Sequence, residues 1–312
     1  MAGLSRRKIS QYEKIITPNS AYFKTLKKAD QRYLRILCKD WPDWLDKYIA
    51  TPEMKRLKFI TSSRNYTALY LVKSPDMLRH AVASALIIWN FTKDKPSTIA
   101  ALLENIATPV FNLDLPRLGL DEALKNAEKI SKLLIKSELE PRKLTNILPE
   151  APKIERYFTA ANLSHEQIER FYGNLELKKS GTKELAFRDL KVAEDFSRIV
   201  AKTSLKARDE KAKFTEDFMK SSIETLVEEG ELTEKALYHL TEQDVISLIK
   251  KSKNKELCAS FAKFKGQKRF KRPDKKPKKV TPERFDPFVR AEVDIDIRSG
   301  AEEIRYARLS KI

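Results

Sequence analysis

Phe261, Phe264 and Phe270 alternate with Lys263, Lys265, Lys268, Arg269, Lys271 and Arg272, and the basic run continues through Lys275, Lys276, Lys278 and Lys279. Interleaved aromatic and cationic side chains suit single-stranded nucleic acid, with rings stacking on bases and cations meeting phosphates. A Lys-rich run is equally the composition of a solvated tail, and nothing in it selects a sequence, or DNA over RNA. Arg6, Arg7, Lys8, Lys24, Lys27 and Lys28 could extend the same surface. Imidazole chemistry has only His80, His165 and His239 to draw on. His80 falls on an apolar helix, where a histidine is more often a hydrogen-bonded core residue than a ligand. His165 and His239 have no partner pattern. There is no Ser-His-Asp signature, P-loop, CxxC or HExxH spacing.

The elements that must position these groups are helical. Thr51 and Pro52 make an N-cap and first helical position. Ser74-Pro75-Asp76 opens a helix over Met77 to Phe91, apolar on most faces and therefore central. Pro96-Ser97 predicts a start for a helix over Thr98 to Ala107. A further amphipathic helix is expected over Leu120 to Ser137. Ser164-His165-Glu166-Gln167 reads as a capping box. Phe187, Leu190, Ala193, Phe196, Ile199 and Val200 keep helical spacing. Two more helices are expected near Thr215 to Glu229 and Thr241 to Lys251. Ala291 to Ile297 alternates apolar and acidic residues as a strand does, with Ile304 to Leu309 as its hairpin partner.

Composition bounds the answer. The chain has 312 residues, 41% hydrophobic and 34% charged, enough for a substantial core. Seven glycines argue against Gly-rich phosphate loops and tightly turned all-β folds. Cys38 and Cys258 make neither a disulfide framework nor a zinc cluster, which suits a reducing compartment. The start of the chain has no apolar core of a signal peptide, and the longest apolar run, Ala81 to Trp89, is too short to span a bilayer. A cytoplasmic location is expected. The net charge is +18, and ten Lys or Arg against Asp274 alone in Lys263 to Lys279 supply half of it. Such a field attracts polyanions.

Ala100 to Phe111 (AALLENIATPVF), downstream of Arg79-His80, resembles the metal-binding heart of the HD-domain phosphohydrolases. The other matching pieces are Tyr48 to Lys58, Leu163 to Glu169 with Gly173-Asn174, Glu184 to Phe187 and Phe285 to Val289, so the likeness runs from about Trp44 to Val289. In that family a His, an adjacent His-Asp pair and a distant Asp gather around one or two divalent ions. The resemblance implies that His80 is the first His, Glu104 and Asn105 replace the pair, and Glu166 stands for the distant Asp. Two consequences compete. His80, Glu104, Asn105 and Glu166 still hold one divalent ion (Mg, Mn, Fe, Ni or Zn), or the site is vestigial and needs none.

The expected architecture is all-α, an HD-domain-like multi-helix bundle with a small C-terminal β element. Its expected parts are a basic lead-in (1–40), the helical domain (41–262), a basic linker or arm (263–280) and a β-containing segment (281–312). The leading expectation is a catalytically degenerate protein that binds nucleotides or nucleic acid through the former pocket or a basic surface. The alternatives are an active divergent phosphohydrolase and a structural subunit of a larger assembly. A polyanion is the expected partner, no membrane span is expected, and oligomerisation stays open.

Overall fold

The computed structural model describes residues 20–61, 75–106, 108–112, 148, 150–179, 183–207, 210–266, 284–296 and 301–312. The chain is mostly helical with one small four-stranded sheet. The helices are α1 (Ala21–Thr25), α2 (Lys28–Leu37), α3 (Asp46–Ile49), α4 (Pro52–Arg56), α5 (Met77–Thr92) and α6 (Lys95–Leu103). They continue with α7 (Glu150–Ala160), α8 (His165–Gly173), α9 (Leu190–Ala207), α10 (Glu210–Glu228), α11 (Glu242–Lys251) and α12 (Lys255–Gly266). No described helix is long and apolar enough to cross a membrane.

Helix α5 is the centre. Residues Met77, Leu78 and His80 to Ile88 are all buried, as expected of a helix that is apolar around most of its circumference. Asp76 caps it, its carboxylate accepting from the Arg79 N–H at 2.8 Å. The expected starts at Thr51-Pro52 and at the Ser164/Gln167 capping box are present as read. Helix α6 starts earlier than Pro96-Ser97 predicts. Asp94 is its N-cap, accepting from the Ser97 N–H at 2.9 Å, and the helix ends at Leu103, well short of Ala107. Pro96 in the first turn leaves the cap to the acid before it.

The sheet order is β1 (Leu175–Leu177), β2 (Leu185–Phe187), β3 (Phe288–Asp296) and β4 (Ala301–Arg308). Strands β1 and β2 form an antiparallel hairpin between α8 and α9, and β3 and β4 form the expected C-terminal hairpin. The hairpins join through a short parallel pairing, Ala186↔Phe288 and Phe187↔Val289. The C-terminal segment thus completes a sheet begun inside the helical region. Phe187 belongs to β2, and α9 begins only after Asp189, whose carboxylate accepts from the Val192 N–H at 2.9 Å. The helical spacing held because Phe187 packs across onto Phe196 of α9, with ring centroids 5.7 Å apart.

The helix expected over 120–137 lies outside the described residues, as do Arg6, Arg7, Lys8 and the run Lys268 to Lys279.

Candidate functional site

Helices α2, α5 and α7 meet over a set of buried polar groups. His80 of α5 and Glu155 of α7 are 3% and 1% exposed, and His80 Nδ1 is hydrogen-bonded to a Glu155 carboxylate oxygen. The other carboxylate oxygen accepts from the Tyr33 hydroxyl of α2 at 3.1 Å and from Thr159 at 2.7 Å. Beside His80, Arg79 donates to Asp30 at 2.7 Å, and its guanidinium lies 4.7 Å from the centroid of the Tyr33 ring. His80 Nε2 and Arg79 Nε are buried and have no hydrogen-bond partner among the described residues.

The electrostatics follow from burial and neighbours. Burial by itself would raise the Glu155 carboxyl. The charge and hydrogen bond of His80, with Thr159 and Arg79 behind them, outweigh it and hold the group below its ordinary value. Burial and then the Glu155 charge push the Tyr33 hydroxyl well up. Asp76, buried at the head of α5, is raised by desolvation, which the N–H and charge of Arg79 only partly offset. The buried Cys38 thiol is pushed up to about 11 by burial, so it stays protonated and unreactive.

The other positions implied by the resemblance are less buried than His80. Glu104 is exposed at the C-terminal end of α6, and Asn105 follows it half-buried, its side-chain nitrogen without a partner among the described residues. Glu166 stands on the surface in the first turn of α8, 3.3 Å from Arg32. Its carboxyl is lowered by backbone and Ser164 hydrogen bonds, as a helix start favours. Among the described residues, no three His, Cys, Asp or Glu side chains converge in a metal-holding group. The open Nε2 of His80 has the form of a ligand held ready from behind. Glu155, which supplies that hold, carried no sequence signal beyond being an acid in an amphipathic helix.

The aromatic side of the basic arm is also reassigned. Phe261 and Phe264 are buried, and Phe264 stacks on Phe218 of α10 with centroids 4.3 Å apart and planes 7° apart. Helix α12 therefore turns these rings inward to hold α10, where they cannot stack on bases. Lys263 is exposed on the same helix. His165 bonds the Ala29 carbonyl at 3.0 Å, a surface tie between α8 and α2.

Comparison with family models and with curated proteins gives no match for this chain.

Proposed function

We propose that this protein is a catalytically degenerate relative of the HD-domain phosphohydrolases that binds nucleic acid through its basic surface. The observation that carries the reading is charge: +18 over 312 residues, half of it within Lys263 to Lys279. The residue types support the degenerate half of the reading, since Glu104 and Asn105 stand where the family's chemistry uses a His-Asp pair, and a neutral amide cannot replace a bridging carboxylate. Affinity comes from phosphate contacts, so it is general and salt-sensitive.

The test is binding of a fluorescent single-stranded oligonucleotide by the full chain and by a variant with Lys268, Arg269, Lys271, Arg272, Lys275, Lys276, Lys278 and Lys279 changed to Gln. The expected result is at least about a hundredfold loss of affinity in the variant at moderate salt. Failure of the unaltered chain to bind at low salt overturns the reading.

One observation favours a second reading, an active metal-dependent phosphohydrolase. A histidine with Nδ1 on a carboxylate and Nε2 open is how proteins hold a metal-ligating imidazole. Near-stoichiometric Mn, Fe, Ni or Zn in protein purified without chelator, falling in Glu104→Ala, is its expected sign. Metal-free protein with unchanged behaviour after that substitution removes it.

A further inference from the structure

The turn between α11 and α12 presents Lys250, Lys251, Lys253 and Lys255, all exposed, and none has an ion-pair partner among the described residues. Acids do lie close by, but they are spent on the turn itself. Glu231 accepts from the Ser252 hydroxyl at 3.1 Å and the Lys253 N–H at 2.9 Å, and Glu229 accepts from the Asn254 side chain at 2.6 Å. Asn254 in turn caps α12 by accepting from the Leu257 N–H at 3.0 Å. The backbone is pinned while four ammonium groups are left to solvent. Some exposed cations elsewhere are paired, as in Arg32 with Glu166 and Arg170 with Asp195.

In the sequence the turn and the arm flank α12. From Lys250 to Lys279 the chain carries fourteen Lys or Arg against Glu256 and Asp274, a net +12 of the +18. Beside the turn an open groove of about 240 Å³ lies between α10 and α12, with Phe218 and Leu257 in its lining beside the hydroxyls of Ser221, Ser222, Thr225 and Ser260, and Glu256 as its one carboxylate. Hydroxyls and ammonium groups on a fixed backbone match the oxygens of a sugar-phosphate chain, and four clustered like charges repel one another until an anion arrives.

We propose that the α11–α12 turn is the fixed phosphate-binding platform of this protein, on which a single-stranded nucleic acid lies along the groove. This rests on the nucleic-acid reading above and names its structured contact surface. Phe218, the ring in the lining, is half-buried and already stacked on Phe264, so contact is to the backbone and indifferent to base identity.

The test compares three variants of the full chain with the unaltered protein, using a homopolymer oligonucleotide titrated across salt. The first changes Lys250, Lys251, Lys253 and Lys255 to Gln. The second, a control of equal charge loss, changes the exposed Lys55, Lys58, Lys191 and Lys311 to Gln. The third is Glu256→Gln. The turn variant is expected to lose at least about tenfold in affinity and to flatten the log K against log [salt] slope by about 1–3. The control is expected to lose about threefold or less, and Glu256→Gln is expected to bind more tightly. Circular dichroism and melting of each variant separate lost binding from lost folding. If the unaltered chain binds but the turn and control variants fall equally, the platform is wrong and the nucleic-acid reading stands. If the unaltered chain does not bind, both fall together.

Discussion

Glu155 is ionised inside a helical core because His80, Thr159 and Arg79 outweigh the penalty of its burial. Its folded-state pKa lies below the unfolded value of about 4.3, so its contribution to stability is complete above that value and is lost as pH falls through the folded pKa. Glu242 has the opposite sign. Its carboxylate is buried and accepts the Thr61 N–H at 2.8 Å and hydroxyl at 2.9 Å, and burial, opposed only by those two bonds, raises its pKa. The native state therefore holds that proton more tightly than the unfolded chain, and stability from this group is lost as pH rises through the raised value. Denaturant unfolding between about pH 3 and pH 7 reads both. Glu155→Gln should cost about 3–5 kcal/mol at neutral pH, and the deficit should shrink on acidification. Glu242→Gln should gain on the unaltered protein as pH rises. A Glu155→Gln deficit that grows as pH falls contradicts this assignment.

Elements whose ends carry local chemistry were legible in the sequence. Thr51-Pro52, Asp76 before Met77, and the Ser164/Gln167 box each satisfy orphan N–H groups with side chains two or three residues away, so the signal and the structure share one short range. What the sequence hid was long-range. Phe187 sits in a strand yet packs on the helix whose periodicity it seemed to share. Phe261 and Phe264 look like base-stacking rings until α10 is placed beside them. The resemblance named His80 but could not show Glu155, seventy-five residues away, as the group that holds it. Phe196 of α9 is the hub of this packing, with the rings of Phe158, Phe171 and Phe285 at 5.5, 5.1 and 5.4 Å. Phe196→Ala should cost about 3–5 kcal/mol, against about 1 kcal/mol for Ser164→Ala at the cap. Urea midpoints of the two variants check the ranking, and an equal loss in both contradicts it.

Across the whole molecule, two features stand apart. The core is closed around α5 by apolar burial and the polar network of His80, Glu155, Tyr33 and Thr159, and the C-terminal hairpin is fixed to β2. There Lys178 and Arg308 flank the Phe288 ring, each 3.6 Å from its centroid, and Arg290 makes two bonds to Glu176. The excess positive charge lies in two stretches, Lys250 to Lys279 with a net +12 and residues 1–40 with a net +7. A chain that concentrates its excess charge in two stretches offers a defined electrostatic footprint for a polyanion. The most direct test is the affinity of the unaltered chain for a single-stranded oligonucleotide, measured by fluorescence anisotropy across about 50 to 300 mM salt. The account predicts a linear fall of log K with log [salt], with a slope steeper than about −3. No binding at the lowest salt, or affinity indifferent to salt, would contradict it.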